Sequence, residues 1–348
     1  MATPAATSTM IIDETALGAY LEARWPGFKG PVRAEKFAGG QSNPTFMLTH
    51  AGGRAVLRKK PPGQLLKSAH AVDREYRVMK ALGPTPVPVP RMYVLCEDES
   101  VIGTAFYVME FVDGRIIWDP MIPEVSNAER SAIYDAMNAA LAALHTVDPA
   151  AVGLGDFGRP GSYFARQLSR WTEQYRASET DHLPDVDKVI AWLEQNLPPD
   201  DGRASLVHGD YRIDNMIFAK DRPELLAILD WELSTIGHPF ADIAYQCMHW
   251  RLPHAGSFRG LAGVDRKAVG IPTEEEYVAR YCERTGIDGI PNWNFYLAFC
   301  LFRMAAILQG VLKRALSGNA SNPERALQVK DNIPVLARMA VDVIEKGP

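Results

Sequence analysis

Apolar positions recur along the chain at two different spacings, and the change from one to the other divides it. Over residues 32–37, 45–49 and 54–58 they fall near every second position, with Gly39-Gly40 and Gly52-Gly53 between the runs. Period two sends successive side chains to opposite faces of a strand, so these runs predict an antiparallel meander. Residues 68–82 instead carry Ala69, Val72, Tyr76, Met79 and Leu82 at helical spacing, which gives one apolar stripe. The segment GPTPVPVPRMYVL that follows cannot extend this helix, because proline lacks an amide donor and restricts the residue before it. A further strand is expected over 105–112. At the other end, residues 1–12 are small and polar enough to fray, and a first helix is expected from Asp13, its N-cap.

From residue 126 the helical period takes over. Ile133, Met137, Ala140, Leu141 and Leu144 share one side of a helix over 126–145, and helices are expected at 163–177 and 186–197, the latter stopped by Pro198-Pro199-Asp200. Short strands at 206–208, 216–218 and 225–229 interrupt the trend, and helices resume at 240–250, 273–285, 293–316 and 323–344. The expected class is α+β with two lobes. An antiparallel-sheet N-terminal lobe would occupy residues 1–111, and a mainly helical C-terminal lobe would occupy 112–348, with a strand-and-loop insert at 206–232. The joint is expected at Glu110-Phe111-Val112-Asp113-Gly114, where an apolar strand meets an acidic glycine turn, with a cleft beside it.

Composition narrows the function classes. A chain of 348 residues exceeds the typical domain of about 100 to 150, in keeping with two lobes. A formal charge of -5 gives no general attraction to a phosphate backbone, so no nucleic-acid partner is expected. Cys96, Cys247, Cys282 and Cys300 lie far apart, without the short spacing of a zinc cluster, and read as free buried thiols. No uncharged apolar stretch approaches the roughly 18 residues of a membrane span, and the first residues lack a basic segment followed by an apolar one. A cytoplasmic, reducing setting is expected, and a homodimer is left open.

The chemistry concentrates in HGDYRIDNMIFAKDRPELLAILD, residues 208–230. Asp210 follows a short apolar strand, Asn215 opens the next one, and Asp230 closes the run LLAIL. An acid on a loop at a strand end can meet a substrate hydroxyl while the sheet supports its backbone. The carboxamide oxygen of Asn215 and the carboxylate of Asp230 suit a hard cation that prefers oxygen ligands. Phosphoryl transfer needs such a set, with an acid to orient the acceptor, metal ligands across the phosphates and a cation to hold the nucleotide.

His208-Gly209-Asp210, Asn215 and Asp230-Trp231-Glu232 resemble the ordered catalytic motifs of protein kinases. In this form they look like the aminoglycoside and choline phosphotransferase superfamily, which shares the protein-kinase fold, and within it the kinase-like domain fused to certain acyl-CoA dehydrogenases. The resemblance covers roughly residues 30 to 340. It implies ATP and Mg²⁺ as cofactors, Asp210 as catalytic base, Asn215 and Asp230 as metal ligands, and His208 as a shaper of the loop. It also implies Asp242 as a brace for that loop, although a plain helix N-terminal charge is an equal reading. Gly39, Gly40, Gln41, Ser42 and Asn43, between two strands, would let backbone amides approach the phosphates. Glu110 to Val112 would lie against the adenine. Arg58 stands where many kinases place a phosphate-binding lysine, with Glu75 its expected ion-pair partner. Lys59 should point to the opposite strand face.

The acceptor is expected to be a hydroxylated small molecule bound near Trp231, Glu232, His238, Trp250 and Arg251. A hydroxylated acyl thioester of coenzyme A is the preferred choice, with an aminoglycoside, choline or a sugar alcohol as alternatives. The segment Gly63-Gln64-Leu65-Leu66-Lys67 is read as a loop more than as an anion contact. Two rival classes remain: a nucleotide-binding scaffold without turnover, and a metal-dependent phosphohydrolase.

Overall fold

The structure is a computed structural model that describes residues 12–37, 43–61, 71–254, 258–318, 324 and 327–347. It packs into two compact units, one of Met1–Ile116 with Asn215–Ser234 and one of Ile117–Asp214 with Thr235–Pro348. The fold is a two-lobed α+β fold, with an antiparallel sheet at the N-terminal end of the chain and a helical C-terminal part.

The first unit is built on a five-stranded antiparallel sheet. Strands β1 (Arg33–Lys36), β2 (Thr45–His50), β3 (Gly53–Lys59), β4 (Met92–Cys96) and β5 (Phe106–Glu110) lie in the order β1-β2-β3-β5-β4. Helix α1 (Glu14–Arg24) starts at Asp13, whose Oδ1 accepts from the amides of Thr15 and Ala16. Leu17 and Leu21 of α1 pack with Phe46, Leu48, Ala55, Leu57, Val94, Phe106 and Val108. Arg58 of β3 and Tyr107 of β5 reach Glu75 of helix α2 (Val72–Leu82), which buries Glu75, Tyr76, Val78, Met79 and Leu82. Residues 68–70 of the expected helix, and Gly63 to Lys67 before it, lie outside the described residues. Strand β4 was not expected from its proline-rich approach. Pairing with β5, across a register shift between Met92 and Val94, recruits it into the sheet.

A three-stranded sheet completes this unit, with β6 (Arg115–Ile116), β8 (Met216–Phe218) and β9 (Leu225–Ile228) in the order β6-β8-β9. The strand β6 is new relative to the sequence expectation. Its approach requires Gly114, where a Cβ would sit 2.3 Å from the carbonyl oxygen of Phe218.

The second unit pairs β7 (Ser205–Val207) with β10 (Thr235–Gly237), itself not foreseen, and is otherwise helical. Its helices are α3 (Asn127–Thr146), α4 (Tyr163–Ser178), α5 (Pro184–Gln195), α6 (Phe240–Arg251), α7 (Glu274–Thr285), α8 (Trp293–Leu316) and α9 (Asn332–Lys346). The expected helix over 323–344 is interrupted: 324 and 327 are helical, residues 328–331 form a turn, and α9 resumes at Asn332. By length and composition α8 could cross a membrane, but it is largely buried and packs against α9, α6, α4 and α5. A helix apolar on nearly all sides is the core of its unit in such a setting. All four cysteines are free and buried.

Candidate active site

In the second unit, β7 runs into the loop His208-Gly209-Asp210, and the loop's backbone is held from two directions. Asp242, one residue pair into α6, accepts from the amide of His208 at 2.6 Å through Oδ2 and from that of Gly209 at 2.8 Å through Oδ1. Arg303 of α8 donates to the carbonyl of Gly209 at 2.9 Å. Gly209 has φ +84°, a left-handed conformation that favours glycine. Asp242 stands in the first turn of α6, yet its oxygens are used on the loop, which makes it a brace. Burial alone would raise its carboxyl. The hydrogen bond and charge of His145, 3.3 Å away, together with His208 and its amide, hold it below the ordinary range. His145 is placed in turn by the hydroxyl of Tyr281 at 2.7 Å.

His208 is fully buried, and its Nδ1 accepts from the amide of Asp210 at 3.2 Å. Asp210 itself keeps a quarter of its side chain exposed. Its Oδ1 accepts from the hydroxyl of Tyr245 at 2.8 Å and lies 4.0 Å from Nε of Arg212. Burial pushes the Asp210 carboxyl up, but Arg212 foremost, then the Tyr245 hydroxyl, His249 and His208, hold it below the usual carboxylate value. The group is therefore ionised at neutral pH.

In the first unit, Asn215 and Asp230 flank a hairpin. Met216 of β8 pairs with Ile228 of β9, and the Leu229 amide donates to the Asn215 carbonyl at 2.8 Å, so both residues come to the same end of it. Asp230 has φ +64° and ψ +60°, a left-handed conformation uncommon outside glycine, asparagine and aspartate. Arg58 of β3 donates from Nη2 to Oδ1 of Asp230 at 2.8 Å, with its Nε 3.2 Å from Glu75 and its Nη2 3.8 Å from Glu232. A planar fork serves carboxylates in two directions at once, where a lysine ammonium is a single point charge. Burial alone would lower the Arg58 guanidinium, but Glu75 first, then Tyr107, Asp230 and Glu232, raise it.

Glu75 is fully buried and also accepts from the Asn43 carboxamide at 2.8 Å and the Tyr107 hydroxyl at 3.2 Å. Burial lifts its carboxyl to about 7 against the opposing pull of Arg58. Lys59 takes the other face of β3, with its ammonium 6.0 Å from the centre of the Phe46 ring. Arg58 and Lys59 are thus both largely withdrawn from solvent.

One carboxylate and one carboxamide at the end of a hairpin fit Mg²⁺, which is commonly held by one or two carboxylates together with phosphates and water. Among the described residues, no group of three or more His, Cys, Asp or Glu side chains is arranged to hold a metal.

Other expected residues fall as follows. Gly39, Gly40, Gln41 and Ser42 lie outside the described residues. Asn43 is described, and its carboxamide is turned to Glu75. Glu110 ends β5, exchanging bonds with Arg91: its amide donates to the Arg91 carbonyl and its Oε2 accepts from the Arg91 amide. Val112 is partly buried just beyond β5. The expected acceptor cluster is corrected, because most of it is consumed by packing. Trp231 is buried and donates to the Ile228 carbonyl, and Glu232 faces Arg58. In the other unit, Trp250 packs against Tyr134 and Tyr277, His238 is buried beside Phe240, and Arg251 forks onto Glu274.

Sequence reasoning missed Tyr245, Arg212, Arg303 and His145. Two of these left a signal. Tyr245 lies one turn beyond Asp242 on the same helix face, and Arg303 is a lone charge within the apolar run LAFCLFRMAAIL, where a buried arginine must find a partner.

Comparisons with known proteins bear on the family and the fold. A family model described as a phosphotransferase enzyme family matches residues 33–279. Acyl-CoA dehydrogenase family member 10 of Mus musculus is 50% identical over 316 residues, which cover 90% of this chain but only 30% of that protein. The chain therefore spans less than a third of that relative's length. A crystal structure from Ralstonia eutropha JMP134, described as a candidate aminoglycoside phosphotransferase, is 51% identical with a TM-score of 0.89, covering 97% of this chain and 99% of the other. The choline kinase of Cryptosporidium parvum Iowa II, 13% identical, shares the fold alone, with a TM-score of 0.62 over 96% of this chain and 97% of that one. The family match and the half-identical structure lead to one conclusion: the chain belongs to the phosphotransferase enzyme family.

Proposed function

We infer that the protein transfers the γ-phosphoryl group of ATP to the hydroxyl of a hydroxylated acyl-CoA thioester. The observation that carries the transfer is Asp210, an ionised, partly exposed carboxylate whose loop is fixed by Asp242 and Arg303. Asp210 aligns the acceptor hydroxyl and receives its proton as the new O–P bond forms and the bond from the γ-phosphorus to the bridging oxygen breaks, releasing ADP. A carboxylate of low pKa accepts that proton late, so alignment is its larger contribution. Asn215 and Asp230 would hold Mg²⁺, and Arg58 keeps Asp230 oriented while tying it to Glu75. When bound, Mg²⁺ supplies charge neutralisation across the transferred phosphoryl group.

The acyl-CoA acceptor rests on two supports. One is the 50% identity to a protein named as an acyl-CoA dehydrogenase family member. The other is charge. Arg212 neighbours Asp210, and exposed Arg259 lies 5.8 Å from the ring centre of Trp118, itself 59% exposed. Arg212 is paired with Asp214, which leaves Arg259 as the cation beside an accessible indole, and that pairing suits an anionic acceptor with a planar ring better than a polycation.

A second reading, an aminoglycoside acceptor, is favoured by the description of the 51% identical Ralstonia structure, which bears more directly on the acceptor than a relative of which the chain spans 30%. Labelled ATP supplied with hydroxyacyl-CoAs, aminoglycosides, choline and sugar alcohols, with product masses measured, decides between them. Phosphorylated hydroxyacyl-CoA is the expected product. Efficient conversion of an aminoglycoside with the thioesters untouched would overturn the acyl-CoA assignment, and release of label to water alone would overturn transfer itself.

A further inference from the structure

We propose that Tyr245 is a positioning residue for the phosphoryl transfer, its hydroxyl fixing the rotation of the Asp210 carboxylate. The inference rests on the reading of Asp210 as the acid that orients the acceptor.

Four observations support it. The Tyr245 hydroxyl donates to Oδ1 of Asp210 at 2.8 Å, so one carboxylate oxygen is directed inward by a bond from the protein. Tyr245 is buried and cannot turn away. Its ring lies 5.5 Å from the Arg303 guanidinium and packs edge-on to His249 with centres 4.5 Å apart. Arg303 also grips the carbonyl of Gly209, so one guanidinium supports both the loop and the ring that orients its acid. Asp242 and Tyr245 are three residues apart on α6, which puts them on one face of the helix. The first fixes the loop backbone and the second fixes the side chain.

Burial foremost, with the charge of Asp210, raises the Tyr245 phenol well above its ordinary value, so it remains a donor throughout the working pH range. Among the described residues, the titratable and charged groups facing Asp210 include Arg212, His208 and Asp214 from its own loop, Tyr245 and His249 from α6, and Arg303 from α8. His249 does not compete as a cation. Burial and Arg212 push its imidazole down to about 4, and its Nδ1 must carry the proton that it donates to the Tyr245 carbonyl at 3.0 Å. The hydroxyl of Tyr245 is therefore a neutral donor that directs the carboxylate, and it leaves the charge of Asp210 intact.

The test compares the full chain with Tyr245→Phe, Asp210→Asn and, as a control for losing a buried tyrosine hydroxyl elsewhere, Tyr134→Phe, whose parent hydroxyl donates to the Pro120 carbonyl. The Asp210 carboxyl is titrated by ¹³C NMR, assigned with Asp210→Asn, and kcat and KM are measured with ATP and a hydroxyacyl-CoA. Tyr245→Phe is expected to raise the Asp210 titration and lower kcat about 10-fold, with KM values changed less than about 2-fold. Tyr134→Phe should leave the titration in place. An unmoved Asp210 titration in folded Tyr245→Phe, or a kcat drop no larger than that of Tyr134→Phe, would overturn the proposal. Full turnover by Asp210→Asn would instead overturn the underlying reading of Asp210, and the titration keeps these two failures apart.

Discussion

Replacing Arg58 by alanine tests the buried ionic cluster of the sheet unit, and its signature is a pH dependence. Arg58 is 14% exposed and Glu75 0%, so removal of the guanidinium leaves a carboxyl that water cannot reach. The bond from Nη2 to Asp230 at 2.8 Å is also lost, at about 1.5 to 3 kcal/mol for a hydrogen bond to a charged group. Glu75 adds a further contribution. Its folded-state pKa of about 7 lies above the unfolded value of about 4.3. Between those values the folded state binds the extra proton, so the stability this group contributes is present below the unfolded value and declines as pH rises. In the parent the decline ends near pH 7, where Glu75 ionises beside Arg58.

Without Arg58 the charged form loses its partner, and Glu75 stays protonated to higher pH. The decline then continues at about 1.36 kcal/mol per pH unit, or about 2.7 kcal/mol further by pH 9. Urea unfolding followed by tryptophan fluorescence at pH 6, 7, 8 and 9 measures this as a widening gap in midpoint at constant slope. Arg58→Ala with Glu75→Gln should remove the widening. Parallel stability curves for parent and Arg58→Ala across pH 6 to 9 would refute the reasoning, because Glu75 would then not depend on Arg58 for its charge.

Other substitutions probe the remaining parts separately. Asp210→Asn should lower kcat by about 10² to 10⁴-fold while nucleotide affinity, measured by calorimetry, stays near that of the parent. Asp230→Ala should weaken ATP binding measured with Mg²⁺ and leave binding without Mg²⁺ much less affected; equal losses in both conditions would remove Asp230 from the metal. Asp242→Asn should cost about 1 to 3 kcal/mol, since an amide nitrogen then faces a loop N–H that the carboxylate had satisfied. Because the Asp242 carboxyl is depressed, its contribution is present above an ordinary aspartate pKa and lost as pH falls through the folded value, so parent and variant should converge in acid.

Much of the architecture was legible because periodicity is local. The meander strands, α2 and most of the later helices follow from spacings within a few residues, and the Asp13 cap from one side chain beside its helix. The unforeseen strands β4, β6 and β10 are short, and each exists through pairing with a strand elsewhere in the chain. A two-residue strand such as β6 carries no period to read. The helix α8 shows the limit from the other side. Its apolar composition fits a bilayer as well as a core, and only its neighbours α4, α5, α6 and α9 decide between them.

The sequence by itself determined the kind of chemistry, because Asp210, Asn215 and Asp230 stand in a short ordered stretch whose residue types are those that phosphoryl transfer needs. It also put Arg58 and Lys59 on opposite faces of one strand, since the period of two admits nothing else. Tertiary structure decided how those groups are held. Arg58 reaches Asp230 across 172 residues, and Tyr245 reaches Asp210 across 35, distances in sequence over which no spacing rule operates. It likewise turned Trp231, Trp250 and His238 from expected acceptor contacts into buried packing, because aromatic side chains look alike in sequence whether they line a site or fill a core. Residue type sets what a group can do, and only three-dimensional burial and partnership set what remains available for it to do.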